Sequence, residues 1–204
     1  MSSAEGLLVM ISAASGTGKT SLVAGLTRAD PNIVVSISHT TRPRRPKEQD
    51  GVDYYFVDAT AFHEMVENGG FLEHAKVFGY CYGTSVEAVQ AERADGRDII
   101  LEIDWQGAEQ VRKLVPGAVS VFVLPPSKAA LKDRLVARGE DAPDIIETRL
   151  NEAQEEMSHH LEFDYLLVND DFPTALADLQ AIVRTERLKS GRQVHQSLVD
   201  DLLS

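Results

Sequence analysis

The sequence has little cysteine and no long hydrophobic run. Cys81 is the only cysteine among 204 residues, which excludes an internal disulfide framework and is typical of a reducing compartment such as the cytosol. Its neighbours Tyr80 and Tyr82 offer no base, so we interpret Cys81 as a packing residue and not a nucleophile. No apolar run reaches the roughly 18 residues that span a bilayer, and residues 1–6 lack the basic segment of a secretory signal. We therefore expect a cytoplasmic protein without a membrane span.

Positive charge is also scarce. The 20 Lys and Arg residues stand against 32 Asp and Glu residues, which gives a net charge of −12. Because a phosphate backbone requires a positive surface, the composition argues against general nucleic-acid binding. Four of the six residues in 42–47 are nevertheless basic, namely Arg42, Arg44, Arg45 and Lys47. In an acidic protein such a cluster indicates either a small phosphorylated ligand or a solvated loop, and composition does not decide between them.

The histidines show no metal-ligand spacing. His159 and His160 are adjacent, so their side chains point in different directions on a helix. The other four are widely separated along the chain: His39, His63, His74 and His195. We expect no metal centre built on histidine.

Residues 7–23 have the layout of a phosphate-binding loop. An apolar run is followed by a small-residue turn and then by a helical pattern. Gly16 and Gly18 permit the backbone dihedrals of a turn whose N–H groups surround phosphate oxygens, and the helix N-terminus adds partial positive charge. Lys19 is placed to bridge the outer phosphates and Thr20 to hold Mg²⁺. Ala13 stands where the strict pattern has its first glycine. The candidate donor-binding residues are Ala13, Ala14, Ser15, Gly16, Thr17, Gly18, Lys19, Thr20 and Ser21.

Apolar strands alternate with helical patterns on both sides of a polar middle segment. Strands are predicted at 7–12, 33–37, 99–104, 118–124 and 164–168, and helices at 18–28, 106–114, 127–139, after 144 and at 173–189. This alternation predicts an α/β fold, a P-loop doubly wound parallel sheet with helices on both faces. We predict a core of residues 1–37 and 98–204, and a subdomain of residues 38–97 inserted over the carboxyl edge of the sheet, where ligands bind in such folds. A helical lid is expected at about 134–150, around a polar break at 139–144.

The inserted segment has weaker patterns than the core. Short strand-like pieces lie at 54–57 and 71–78, with one helix between them and another at 85–94, while 39–53 shows no periodicity. The tail, 191–204, is either a final helix or frayed.

Candidate ligand-binding side chains follow several of the predicted strands. Glu102 and Asp104 end the strand at 99–104, where a carboxylate can hold Mg²⁺ through water, and Asp104 is the better placed. Glu73 has apolar neighbours, so it is either exposed or paired with a donor such as a purine edge.

Three arginines lie on both sides of the polar break. Arg134 and Arg138 share one helix face, and Arg149 is on the next helix. They either close over the transferring phosphates or pair with neighbouring acids.

These residues resemble the guanylate kinase family of the bacterial type, over about 7–190. The resemblance rests on Ser-Ala-Ala-Ser-Gly-Thr-Gly-Lys-Thr (12–20), Ser-His-Thr-Thr-Arg-Pro-Arg-Arg-Pro (38–46), Gly-Val-Asp-Tyr-Tyr-Phe-Val (51–57), Phe-Leu-Glu-His-Ala (71–75) and Tyr-Gly-Thr (82–84). It continues in Glu-Ile-Asp-Trp-Gln-Gly (102–107), Pro-Pro-Ser (125–127), Arg-Gly (138–139) and Val-Asn-Asp (168–170). The phosphate loop is shared by many NTPases, whereas the segments at 38–57 and 71–84 are much more specific.

The resemblance implies transfer of the γ-phosphoryl group of ATP to GMP, with Mg²⁺. It implies that Lys19, Arg138 and Arg149 stabilise the transferring phosphoryl group, and that Arg134 and Asn169 line the adenine side. It implies that the GMP phosphate is bound by Ser38, Arg42, Arg45, Tyr54 and Tyr82, with Arg45 favoured over Arg44 by spacing. It further implies that Glu73 and Thr84 bind the guanine edge with help from Glu102 or Asp104, and that Thr20 and Asp104, the latter through water, hold the metal.

Two alternatives remain from the sequence. One is a related kinase of a sugar phosphate, such as ribose bisphosphate, which would not need Glu73 and Thr84 as a purine-binding pair. The other is a non-catalytic guanylate kinase-like binding module, against which the intact Gly18, Lys19 and Thr20 argue. The expected partners are the small molecules ATP and GMP, with no nucleic acid and no membrane, and homo-oligomerisation stays open.

Overall fold

The structure is a computed structural model that describes residues 5–77, 79–137, 143–192 and 196–204. Its strands are β1 (Leu8–Ala13), β2 (Ile33–Val35), β3 (His39–Thr40), β4 (Tyr55–Phe56), β5 (Phe71–Val77), β6 (Tyr80–Ser85), β7 (Asp98–Glu102), β8 (Val119–Leu124) and β9 (Tyr165–Val168). Its helices are α1 (Lys19–Ala29), α2 (Ala59–Glu67), α3 (Val86–Ala94), α4 (Trp105–Leu114), α5 (Lys128–Ala137), α6 (Pro143–Ser158), α7 (Phe172–Arg187) and α8 (Gln196–Leu203), with short 3-10 turns at His159–Glu162 and Ser190–Arg192.

The larger sheet has five parallel strands in the order β2-β7-β1-β8-β9. Successive residues of β1 point to opposite faces. Val9 and Ile11 pack against α1 and α7, and Leu8 and Met10 pack against α3 and α4. Because helices cover both faces, β1 is apolar throughout. The predicted doubly wound α/β sheet is confirmed.

Most predicted boundaries of the larger sheet agree with the structure to within two residues. Two strands end two residues earlier than predicted. β2 ends at Val35, although Ser36 still donates its N–H to the Ile100 carbonyl at 2.9 Å. β7 ends at Glu102 because Asp104 already caps α4, where its carboxylate accepts the Gly107 N–H at 2.8 Å.

The smaller sheet lies within the segment 38–97 and has the order β4-β3-β6-β5. β5 and β6 form an antiparallel pair, while β3 runs parallel to β4 and antiparallel to β6. The predicted strand at 71–78 corresponds to β5 up to Val77, and residue 78 lies outside the described residues. The sequence pattern does not predict β3, which has only two residues, or β6, whose six residues Tyr-Cys-Tyr-Gly-Thr-Ser include a glycine and show no clear apolar alternation.

Helix α4 joins the smaller sheet to the larger one. The side chain of Gln110 forms two hydrogen bonds with the backbone of His74 on β5. Its carbonyl oxygen accepts the His74 N–H at 3.1 Å, and its amide donates to the His74 carbonyl at 2.9 Å. Since β5 is an outer strand of its sheet, this amide lies where the backbone of a further strand would lie.

Helices α5 and α6 follow β8. The Ser127 hydroxyl accepts the Ala130 N–H at 3.1 Å, as expected of the residue before α5. On α6, Ile146 and Ala153 are buried against α5, with Leu150 and Met157 beside them, so these four residues form one apolar stripe. The predicted helix end at Gly139 and the first part of the polar break, 139–142, lie outside the described residues.

The carboxyl end of α6 is fixed to the start of α4. The His159 and Trp105 rings stack with centroids 3.6 Å apart and an interplanar angle of 5°. His159 Nδ1 is also 2.6 Å from a Glu162 carboxylate oxygen. No helix in the described part of the chain is long and apolar enough to cross a membrane.

Candidate active site

The loop between β1 and α1 has the backbone of a phosphate-binding turn. Gly16 and Gly18 have φ of 91° and 94°, in the left-handed region that favours glycine. A Cβ on Gly18 would also lie 2.4 Å from Asn169 Nδ2. Ala13 is the last residue of β1 and pairs with Val123, so its backbone is extended and accommodates a methyl group. Residues 13–20 line a cavity of about 270 Å³.

Two side chains bind this loop from outside. The Thr17 carbonyl accepts hydrogen bonds from Arg134 Nη1 at 3.1 Å and from Asn169 Nδ2 at 2.7 Å. Arg134 Nη2 also donates to the Asn169 carbonyl at 2.9 Å. The structure thus brings Arg134 and Asn169 together on the loop, and these contacts replace the expected alternative of Arg134 pairing with a neighbouring acid.

Glu102 is the carboxylate next to the two loop residues predicted to contact phosphate and metal. Its Oε2 lies 3.9 Å from Lys19 Nζ and accepts the Thr20 hydroxyl at 3.2 Å. Burial lowers the pKa of Lys19, and the negative charge of Glu102 opposes that shift. Asp104 lines the same cavity, so both predicted carboxylates lie beside the loop.

A second cavity of about 490 Å³ lies between the two sheets. It contains six of the residues that the resemblance assigns to GMP, together with Lys19 and Thr20 of the loop. These six are Ser38, Tyr54, Glu73, Tyr82, Glu102 and Asp104.

Glu73 is the most unusual residue of this second cavity. It is only 4% exposed, so the alternative of a solvated strand residue is wrong. Its Oε1 accepts the Thr84 hydroxyl at 2.6 Å. Burial raises the pKa of Glu73 to about 7, and the bond from Thr84 opposes that rise. The result is a nearly enclosed carboxyl group at the wall of a cavity.

The arginines of the segment 38–46 are not among the residues that line the two cavities. Arg42 Nη2 is 2.7 Å from a Glu48 carboxylate oxygen, and its guanidinium carbon is 5.5 Å from the centre of the Tyr54 ring. Arg45 is exposed, and its backbone N–H donates to the other Glu48 oxygen at 2.8 Å. Glu48 therefore holds the turn at 42–48 together by contacting both Arg42 and Arg45.

The predicted lid arginines are the least defined part of the site. Arg149 is half-buried on α6 and is not among the described residues that line the two cavities. Arg138 lies outside the described residues. In the described ranges there is no group of three or more His, Cys, Asp or Glu side chains with a metal-binding arrangement.

Two residues that sequence reasoning missed lie at these cavities. Gly107 on α4 leaves room for the Glu73 carboxylate, because a Cβ there would lie 2.8 Å from Glu73 Oε2. Glu156 on α6 lines the loop cavity, and its pKa is raised by burial, a rise that the nearby Ser15 backbone N–H opposes. A signal for Glu156 was available, since it follows Arg149 by two helical turns and so shares its face.

Comparison with known proteins identifies the family. The model of the family described as guanylate kinase matches residues 5–186. A guanylate kinase of Alkalilimnicola ehrlichii is 58% identical over 92% of this chain and 93% of its own length. One of Saccharophagus degradans is 55% identical over 98% of both chains.

Solved structures agree with these matches. The crystal structure of guanylate kinase from Anaplasma phagocytophilum has a TM-score of 0.79 and 34% identity, covering 98% of this chain and 95% of that one. The SH3-kinase fragment of tight junction protein 3 shares the fold alone, with a TM-score of 0.50 and 13% identity over 93% of this chain and 61% of that one.

Proposed function

The chain belongs to the guanylate kinase family, and we propose how its residues transfer the γ-phosphoryl group of ATP to GMP. It is an ATP:GMP phosphotransferase whose products are ADP and GDP. The proposed core is 1–37 with 98–204, the proposed acceptor subdomain is 38–97, and the proposed lid is about 134–150. The chemistry needs no covalent intermediate, because phosphoryl transfer depends on alignment and on charge stabilisation.

We assign ATP to the loop between β1 and α1, residues 13–21. The backbone N–H groups of the loop and the start of α1 bind the phosphates, and Lys19 contacts the outer ones. Arg134 and Asn169 have a double role in this assignment. They line the adenine side, and their hydrogen bonds to the Thr17 carbonyl hold the loop in its binding conformation before ATP arrives.

We propose Mg²⁺ as the metal that accompanies ATP. The residues present fit it, because the Thr20 hydroxyl and the carboxylates of Glu102 and Asp104 offer only hard oxygen donors beside one cavity. Mg²⁺ keeps several waters and takes few protein ligands, so Thr20 would bind directly and Asp104 through water. When bound, the metal neutralises charge that develops on the phosphates.

We assign GMP to the cavity between the sheets. Ser38, Tyr54 and Tyr82 supply hydroxyl groups for its phosphate, and Arg42 and Arg45 supply positive charge. Arg42 is already paired with Glu48 and lies over the Tyr54 ring, and its guanidinium has further N–H donors for the phosphate. Guanidinium groups suit phosphate oxygens geometrically.

The observation that carries the assignment is the buried pair of Glu73 and Thr84. A carboxylate accepts hydrogen bonds from N1–H and the exocyclic amine of guanine, whereas adenine presents an acceptor at N1. A sugar phosphate has neither group and leaves the buried Glu73 carboxylate with the Thr84 hydroxyl but without the two further donors that guanine supplies, which is costly. Neither the sugar-phosphate kinase nor the non-catalytic module is favoured by the family match.

We propose that Lys19 and Arg149, with Arg138, stabilise charge on the transferring phosphoryl group. An arginine that meets this charge is worth about 10³–10⁵ in rate. Closure of the lid would exclude water and so protect ATP from hydrolysis. We place the reaction in the cytoplasm, with small molecules and not nucleic acid as ligands, in line with the net charge of −12.

A coupled assay of ADP release with GMP, AMP and ribose bisphosphate tests this assignment. We expect kcat/KM for GMP to exceed that for AMP by up to about 10⁴–10⁵, and ribose bisphosphate to be inert. Glu73→Gln should lose much of the preference for GMP, whereas Glu64→Gln, an exposed change on α2, should keep it. A wild-type preference below about tenfold, or one that survives Glu73→Gln, would remove Glu73 from the guanine site.

A further inference from the structure

Helix α6 places an acidic side chain on the phosphate loop. Glu156 lines the loop cavity together with residues 13–20, and the backbone N–H of Ser15 is near enough to its carboxyl group to lower the pKa of that group. The backbone N–H groups of such a loop are the groups that bind phosphate oxygens. We propose that the Glu156 carboxylate occupies an anion position of the loop when no nucleotide is bound, and that a nucleotide phosphate displaces it. The proposal rests on the assignment of ATP to this loop.

The surroundings of Glu156 make its carboxylate easy to displace. Burial and the nearby negative charge of Asp104 raise the pKa of Glu156, and the Ser15 N–H and the charge of Lys19 act against that rise. The Ser15 N–H and the Lys19 charge, which favour the ionised carboxylate, both belong to the loop that binds phosphate. Two anions cannot share them, because like charges at contact distance repel strongly in a partly buried site. The phosphate carries more charge and more acceptor oxygens than the Glu156 carboxylate, so it binds the loop more strongly and displaces the carboxylate.

The displacement requires movement of the Glu156 side chain and not of its helix. Three residues after Glu156, the His159 ring stacks on the Trp105 ring with centroids 3.6 Å apart. Three residues before it, Ala153 is buried against Leu131 and Leu135 of α5. The helix segment that carries Glu156 is therefore fixed at both ends. Rotation of a glutamate side chain is a small change. The Glu156 carboxylate therefore lowers the affinity of the loop for a nucleotide phosphate but does not prevent the phosphate from binding.

Calorimetric titration of the whole protein with inorganic tripolyphosphate and with a non-hydrolysable MgATP analogue tests the proposal. Glu156→Gln removes the competing charge and keeps the side chain's shape. Its nucleotide affinity should rise about 2- to 12-fold, the equivalent of one hydrogen bond, and the affinity for GMP should not change. Tripolyphosphate should show the same gain, because the competition concerns phosphate and not adenine.

Two further variants distinguish the effect of the Glu156 carboxylate at the loop from the effect of a change in the net charge of α6. Glu156→Asp keeps the charge but withdraws the carboxylate from Ser15, so it should also bind tripolyphosphate more tightly. Glu155→Gln makes the same change in net charge at an exposed position of α6 and should leave the affinity unchanged. The titration stoichiometry reports the folded fraction of each variant.

Unchanged or weaker tripolyphosphate binding by Glu156→Gln overturns the proposal, as does an equal gain in Glu155→Gln. Turnover of GMP with ATP by the wild type, measured on the same preparations, tests the proposed function separately. Normal wild-type turnover with no gain in Glu156→Gln would reject the displacement alone.

Discussion

Gly107 provides the space that the Glu73 carboxylate occupies. The two residues come from different elements, α4 and β5, and a Cβ on Gly107 would lie 2.8 Å from Glu73 Oε2 and 3.3 Å from its carboxyl carbon. The glycine lies inside a helix, where alanine is normally more stable by roughly 1 kcal/mol. Its presence therefore has a steric reason, and that reason lies at the proposed guanine site.

Gly107→Ala should raise KM for GMP by forcing the Glu73 carboxylate away from its place. ATP binding should change little, because the phosphate loop is held by hydrogen bonds from Arg134 and Asn169 and not by Glu73. The matched control is Gly117→Ala, where the nearest atom to the added methyl is a side-chain nitrogen of Arg192 at 3.7 Å. Steady-state kinetics with varied GMP gives the comparison. Equal KM values in wild type and Gly107→Ala would show that the carboxylate position is unimportant for GMP.

Binding of GMP should strengthen as the pH rises from 6 to 8. The carboxyl group of Glu73 has its pKa raised to about 7 by burial, and the two guanine donors pair better with its ionised form, in which both oxygens accept. The ionised fraction rises about tenfold across that range. Between the ordinary pKa of 4.5 and about 7, the same ionisation should lower the free energy of unfolding as the pH rises, since the native state holds more protons.

Calorimetric Kd values for GMP across this pH range, in wild type and Glu73→Gln, measure the effect. The variant keeps the titration of the GMP phosphate and loses that of Glu73, so the difference between the two profiles isolates the carboxyl group. Parallel profiles would assign the pH dependence to the ligand alone.

Lys19→Ala should strongly reduce turnover while GMP still binds. Lys19 contacts the proposed donor phosphates, and the acceptor cavity has its own polar groups. Removal of a single preorganised charge of this kind costs about 10²–10³ in kcat. Lys113→Ala is the control, because Lys113 forms only an exposed pair with Glu109. Retention of most of the activity by Lys19→Ala would contradict the assignment of ATP to this loop.

Arg187→Met should destabilise the protein without affecting substrate affinity. Arg187 donates to Asp98 at 2.6 Å and to Asp30 at 2.7 Å, and the residue Asp98 is 4% exposed. Loss of the arginine leaves a buried carboxylate with the Leu7 N–H at 2.7 Å, which we expect to cost about 3 kcal/mol.

Urea unfolding of Arg187→Met and of a surface control, Arg97→Met, gives this difference. Arg97 pairs with Glu92 and Asp95 at the surface, where such pairs contribute about 0–1 kcal/mol. If both variants lost the same small amount, the buried position of Asp98 would not matter for stability.

The parts of the fold that follow from local pattern were predictable. The apolar run of β1, the two glycines and the helix after them lie within residues 7–23, so the phosphate loop is visible in the sequence itself. The alternation of strands and helices likewise identifies the parallel sheet, because burial on both faces requires apolar residues throughout each strand.

The remaining features depend on residues that are distant in sequence. β3 and β6 gain their partners only when the smaller sheet forms. Whether Glu73 is buried depends on Gly107, and no property of the segment 71–75 reveals that space. The two hydrogen bonds that Arg134 makes, to the Thr17 and Asn169 carbonyls, likewise join segments far apart in the chain.

The paired hydrogen bonds between Gln110 and His74 also bear on how the protein avoids aggregation. An outer strand such as β5 exposes backbone groups that another chain can use to extend the sheet. At His74 both groups are already taken by one side-chain amide of the same molecule. An incoming strand would have to break two hydrogen bonds before it formed its own at that position. Gln110 on α4 thus protects the outer strand of the smaller sheet from pairing with a strand of another chain at this position.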